Sequence, residues 1–523
     1  MTATAKTRAA CGSWPSPLTP ARMAESATRL SQPWIDDHGR ASWIETRPHE
    51  GGRSVLVERD RDGVVRDLVG APHDVRSRVH EYGGAAYTMA GDRVLFVDAT
   101  AGTLACREAD GTVRSIGGPQ RWGARWRLAE PKLDRARERV VATGERLRED
   151  AEPEAAIVAV DLATGALDVL VRGADFYAAP ALDDAGERLA FLAWNHPHMP
   201  WDAATLFETR FTGEGRVGEP RHVAGDANGS AFQPGYLRDG ALVFVWERDD
   251  RWQPFVSRDG RVQPLASVPG ELGLPLWSLG VRTWGVLDEH RIAAAAVERG
   301  RAALFAIDVR DGAVERLATP WPTIGDLATA RDRIAVVPGW GDRGESIELL
   351  DGTARPLATL RCTTDPIAAS FVPEAEPIEF ATTDDAVAHG FFYAPKHPEV
   401  EPLPGERPPL VVLAHGGPTG GALAMASPTV LFFTTRGFAV LDVNYRGSTG
   451  YGRSYREALR GRSGIVEVDD VVAGARALAE AGRVDANRLA IRGASAGGYI
   501  ALAAVTFSDA FRAAAIHYGI SDV

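Results

Sequence analysis

Cysteine is nearly missing from this chain: Cys11, Cys106 and Cys362 stand far apart in 523 residues. An odd, sparse set offers neither a disulfide framework nor the spacing of a metal-ligand cluster. Lysine is as rare, at Lys6, Lys132 and Lys396, so arginine supplies nearly all of the 58 basic residues. That bias is read as codon usage. No run approaches the roughly 18 apolar residues of a membrane-crossing helix. The opening "MTATAKTRAACGSWPSP" lacks the apolar stretch of a secretory signal. Positive charge is also in deficit. The formal net charge of -12 argues against a general binder of nucleic acid or of anionic membranes. What remains, 45% hydrophobic and 24% charged, is ordinary globular composition. A soluble, cytoplasmic protein of two or more domains is expected. No metal or organic cofactor is implied, and oligomeric state is left open.

What is present in quantity is repetition. Asp-Gly pairs followed by a short alternating run recur at Asp62, Asp110, Asp259, Asp311 and Asp351, with a variant in "VDLATGALDVLV" from Val160. Before them come strand-like runs such as "SVLVERD", "RVLFVDA", "ALVFVWE" and "ALFAIDV". Alternation bounded by Asp-Gly turns predicts antiparallel hairpins. Spacings of about 40 to 50 residues, or double that, predict the blades of a β-propeller. We expect seven blades between residues 39 and 372, after an N-terminal segment of residues 1–38. Stacked β-sandwiches are the alternative.

The pattern changes after residue 373. "LVVLAHGGP", "GFAVLDVNYRG", "RLAIRGASAGG" and "FRAAAIHYGISDV" are apolar runs that alternate with helix-like stretches. Buried strands alternating with helices predict a parallel sheet with right-handed crossovers over 373–523.

Three motifs in this region carry chemistry. Gly493-Ala494-Ser495-Ala496-Gly497 fits G-x-S-x-G between a strand and a helix, the setting of a nucleophile elbow. A serine in such a turn needs small neighbours, and the helix N-terminus favours developing negative charge. The bland alternative is a small-residue helix start packed on its strand. "HGGP", His415 to Pro418, follows an apolar strand where an oxyanion loop belongs. The expected donors are the N–H groups of Gly417 and Ala496. His415 itself is read as a loop-shaping residue rather than a base. "NYRGSTGYG", from Asn444, contains Arg446, which is expected to brace that loop. Asp469 and Asp470 either pair with Arg446 or, as the favoured reading, cap a helix.

Taken in order, "HGGP", "NYRGSTGYG", the "VDD" helix start and "GASAGGY" resemble the prolyl oligopeptidase family of serine peptidases. "GSWPSPLTP", "RLSQPWID" and "RVHEYGGAAY" look like its acylaminoacyl-peptidase and dipeptidyl-aminopeptidase-like branch. The resemblance implies a propeller followed by an α/β-hydrolase domain, peptide substrates, Ser495 as nucleophile and Gly417 and Ala496 as oxyanion donors. It also offers Glu81 of "HEYGG" as a contact for a substrate amine, the alternative being a loop residue tying two blades. The hydrolase order is serine, acid, histidine. Beyond Ser495 only Asp509, His517 and Asp522 could serve, and none sits where the resemblance requires. The triad acid and histidine are therefore expected outside this chain, which should show little peptidase activity. An esterase, and a non-catalytic propeller with a degenerate hydrolase domain, are the competing readings.

Overall fold

The computed structural model describes residues 6–24, 27–213, 215–364 and 367–522. Seven four-stranded antiparallel sheets follow one another in sequence. They span Arg29–Val69, Tyr87–Gly117, Trp126–Val171, Phe176–Ala224, Ala231–Pro264, Trp284–Leu317 and Thr323–Cys362. Thr323–Ala330 of the seventh touches Arg29–Ile35 of the first, which closes a seven-bladed propeller. Apolar side chains seal that junction: Trp43 and Val55 of blade 1 share a cluster with Ala335 and Ile347 of blade 7. Full burial of a large apolar side chain is worth about 1.5–3 kcal/mol.

The Asp-Gly repeats are the turns between the third and fourth strands of blades. At Asp311-Gly312 the chain enters the left-handed region, with φ 75° at Gly312. A Cβ there would lie 2.2 Å from the carbonyl oxygen of Leu265, so only glycine lets the turn rest on the preceding blade.

The first sheet begins at Arg29, ahead of the expected start at 39. Its leading strand escapes a period-two reading because a bulge between Ser31 and Trp34 breaks the alternation, with Gln32 at φ 52° and Pro33 inside it. The segment before it is not a free arm. Thr7–Arg8 pairs in parallel with Val400–Glu401. Cys11 N–H donates to Glu406 (3.0 Å), Arg436 donates to the Leu18 carbonyl (2.5 Å), and Trp14 and Leu18 are buried. Residues 6–24 thus strap the C-terminal domain.

That domain holds one six-stranded sheet, whose strands we number in chain order: β1 Glu376–Ala381, β2 Val387–Tyr393, β3 Leu410–Ala414, β4 Ala439–Asn444, β5 Leu489–Ala494 and β6 Ala513–His517. The spatial order is β1-β2-β4-β3-β5-β6. The pairs from β4 to β6 are parallel, and β1 and β2 are antiparallel. The helices Val466–Glu480 and Ala496–Phe507 cover one face, packing on Leu441, Val443, Val412 and Ile491. No helix of the described residues is long and apolar enough to cross a membrane.

Candidate active site

β5 ends at Ala494, and the helix Ala496–Phe507 starts two residues later. Ser495 alone makes the corner, at φ 56° and ψ -124°, a conformation that strains any L-residue. The neighbours show why it is tolerated. A Cβ on Gly493 would sit 1.9 Å from the Gly497 carbonyl oxygen, and one on Gly497 would sit 2.1 Å from that of Ala414. Two backbone contacts hold the corner from β6 onward: Ser495 N–H donates to the His517 carbonyl (3.1 Å), and Ile520 N–H donates to the Ser495 carbonyl (3.4 Å). The Ser495 hydroxyl is half-buried and makes no hydrogen bond to any described residue.

The "HGGP" loop leaves β3 beside this corner, since a Cβ on Gly416 would lie 3.6 Å from that of Ser495. The N–H groups of Gly417, next in this loop, and of Ala496, next after Ser495, have no acceptor among the described residues. The helix behind Ala496 adds its N-terminal partial charge. Such a site can stabilise a tetrahedral oxyanion.

His415 is committed to the loop. Its Nε2 lies 2.8 Å from Ser448 Oγ, its Nδ1 2.9 Å from its neighbour's carbonyl, Gly416 O, and its ring stacks on Tyr445 at 4.2 Å. Burial depresses its pKa to about 4, so the imidazole is neutral near pH 7. It does not bond to Ser495.

Arg446 does not reach that loop. It bonds Asp470 through Nη2 (2.8 Å) and Nε (3.1 Å), and Thr383 Oγ1 (2.9 Å). Asp470 also accepts the Arg446 N–H at 2.7 Å. The capping reading of the acids is overturned: the helix starts at Val466, its N-cap Ile465 offers no side-chain bond, and Asp469 and Asp470 lie inside the first turns. Pairing wins because Asp470 is fully buried and needs a cation.

The braces of the loop are the neighbours of Arg446 in the same glycine-rich turn, whose single roles sequence reasoning did not assign. Tyr445 Oη donates to the His415 carbonyl (2.9 Å). Thr449 donates its N–H to Gly420 O (2.9 Å) and its hydroxyl to Thr419 O (2.6 Å). Asn444 exchanges bonds with the backbone of Ala422 at 2.7 and 3.0 Å. The only signal was the density of polar and glycine residues in "NYRGSTGYG".

None of the three late candidates pairs with Ser495. Asp509 bonds Arg476 (3.0 Å) at the surface, while the side chains of His517 and Asp522 are exposed and make no hydrogen bond among the described residues. Glu81 lies in the propeller with φ 63°, 73% exposed at its side chain. Arg127 pairs with it and also with Glu145 (3.2 Å). Its loop continues to Gly84, which bridges to Leu279 across the blade array.

Residues 425–523 match the model of the prolyl oligopeptidase family. Over 99% of its length the chain superimposes on a puromycin hydrolase, with TM-score 0.91 and 32% identity, and covers 81% of that protein. The chain belongs to the prolyl oligopeptidase family. A puromycin-hydrolyzing peptidase of Mycobacterium tuberculosis is similar at 33% identity, TM-score 0.91, with 99% of this chain and 81% of that one covered. The acylamino-acid-releasing enzyme of Mus musculus is 29% identical over 237 residues, 41% of this chain and 30% of that protein. The matched stretch thus spans under a third of that curated relative. More distant members, such as the acylaminoacyl peptidase of Pyrococcus horikoshii at 17% identity and TM-score 0.67, share the fold.

Proposed function

We propose that this family member is a serine peptidase acting on short peptides through an acyl-enzyme on Ser495. One observation carries the reading: an unbonded serine hydroxyl in a strained corner beside the HGGP loop, with the N–H groups of Gly417 and Ala496 left unpaired. The Ser495 oxygen attacks the substrate carbonyl, and the oxyanion forms between those two donors. The C–N bond breaks, the amine leaves with a proton, and water then hydrolyses the ester. His415 is a support of the loop rather than a proton carrier.

The attack needs a base, and no described side chain is placed to act as one. We therefore assign the acid and histidine to residues outside this chain, and these 523 residues alone to residual turnover. The propeller, whose blades run from Arg29 to Cys362, restricts entry to small substrates. Glu81 is assigned to the substrate amine: its carboxylate, paired with Arg127, is 73% exposed at its side chain and open to a ligand. The two relatives named for puromycin make puromycin the first compound to test. The setting is the cytoplasm, with peptides and not nucleic acid as partners.

The test is labelling by a fluorophosphonate probe, with Ser495→Ala as control, on this chain and on any longer product of the same gene. Labelling of the longer protein at Ser495 alone supports the reading. A folded longer protein that stays unlabelled would leave the non-catalytic propeller reading in its place.

A further inference from the structure

The propeller reaches the oxyanion loop through one short stretch, and its contacts are specific. Gly450 is gripped through its N–H and its carbonyl by two propeller residues, Glu271 in the connection between blades 5 and 6 and Arg299 in a turn of blade 6. Its N–H donates to Glu271 Oε2 (3.0 Å), and its carbonyl accepts from Arg299 N–H (3.1 Å). In the same turn, the Gly300 carbonyl accepts from Ala424 N–H (2.9 Å). The turn cannot drift, because a Cβ on Gly300 would lie 2.6 Å from the Phe391 ring and 2.8 Å from Ala422 O. Glu271 is 3% exposed, and its second oxygen, Oε1, has no partner. Beside it lies a polar cavity of about 100 Å³ shared by Arg299, His389 and Tyr451. A buried carboxylate with a free oxygen is costly to keep, so its one bond to the hydrolase domain needs a reason.

That reason lies one residue away. Thr449 holds Thr419 and Gly420, and Ser448 holds His415, the first and last parts of the oxyanion loop. The chain of bonds runs Glu271, Gly450, Thr449 and Ser448, His415 to Gly420.

We propose that Glu271 is a positioning residue: by fixing Gly450 it makes the propeller set the oxyanion loop, so that the hydrolase domain is competent for acyl transfer only while blade 6 is docked. The consequence for chemistry rests on the serine-peptidase reading above, whereas the mechanical coupling does not. Glu271 touches no reacting atom. It acts through the loop.

The test compares wild-type, Glu271→Ala and Glu271→Gln in the full chain. The glutamine keeps a carbonyl oxygen for the Gly450 N–H, and the alanine does not. Hydrogen exchange of peptides covering 415–421 should speed up about ten-fold in the alanine variant, with most of the protection recovered in the glutamine variant. Blades 1 to 4 should be unchanged. The rate of probe attachment to Ser495 should fall about ten-fold in the alanine variant and recover in parallel, because oxyanion donors act on the transition state. Unchanged exchange at 415–421 in the alanine variant overturns the proposal. So does an equal rise throughout the propeller, which marks simple loss of stability. If wild-type Ser495 fails to react both in this chain and in a folded longer product of the same gene, the nucleophile reading falls, and exchange at 415–421 still decides the coupling.

Discussion

The two sides of Ser495 are built differently. On the side of β3 and β4, every residue from Asn444 to Thr449 except Gly447 braces a neighbouring segment through its side chain. Behind this stands the propeller, with Glu247 fully buried between Arg453 and Arg456, each at 2.6 Å. On the side of β6 all five strand residues are exposed, and Phe507, Ile516 and Tyr518 lie open to solvent. β6 is hydrogen-bonded along one side only among the described residues. The loop beside Ser495 is thus braced by residues that precede it. The half of the site that moves protons has no counterpart among the described contacts. Oxyanion stabilisation depends on rigid geometry and is assembled with the fold, whereas a base has only to reach one hydroxyl.

The braced side should be intolerant, and its most extreme test is Gly493→Ala. The added methyl would overlap the Gly497 carbonyl at 1.9 Å. Either β5 or the helix must shift, so we expect loss of the folded hydrolase domain, read as insolubility or as a circular dichroism spectrum retaining only propeller signal. A soluble, native-like variant would break the comparison at its strongest point. Glu247→Ala comes next. It leaves the buried Arg456 guanidinium without its anion, while Arg453 keeps Glu457 at 2.6 Å; breaking such a buried pair costs about 3–5 kcal/mol in comparable sites. Arg456, stacked over Trp252 at 4.4 Å, already has two unbonded nitrogens and cannot compensate. Small-angle scattering should show the domains parting while each stays folded.

His415→Ala tests the loop itself. It removes the bond to Ser448 and the ring that stacks on Tyr445, so attachment of the probe to Ser495 should slow by about 10- to 100-fold. A drop to the level of Ser495→Ala would instead make His415 a base. Low pH offers a second view. The folded-state pKa of His415, about 4, lies below that of an exposed histidine. The stability contributed by its neutral form is complete above about pH 6.5 and declines as pH falls toward 4. The melting temperature of the hydrolase domain should fall through that window in wild-type and less in the alanine variant.

Much of this architecture was legible in the chain. The blades announced themselves because Asp-Gly turns are local and recur, and the elbow because Gly493, Ser495 and Gly497 must be adjacent in sequence to make one corner. Arg29–Ile35 was missed because its bulge hides the alternation. The strap of residues 6–24 and the grip of Glu271 on Gly450 were missed, and the pairing of Arg446 with Asp470 was offered only as the less favoured alternative, for a different reason. Each joins residues from 24 to more than 400 positions apart, and no local pattern marks a side chain for a distant partner.

The open side should be tolerant, and His517→Ala is the sharpest small-effect test. Only the backbone of His517 serves the corner, through its carbonyl to Ser495 N–H. The imidazole is exposed and makes no bond, and an alanine in β6 keeps the same strand pairing with Ala494. The labelling rate should change by less than about two-fold, the scale of a surface substitution away from structural features. Loss of a true base would cost orders of magnitude more. A large effect at His517 would mean that the proton-moving half of the site begins inside these residues after all, and that the contrast between the two sides of Ser495 is one of order and not of content.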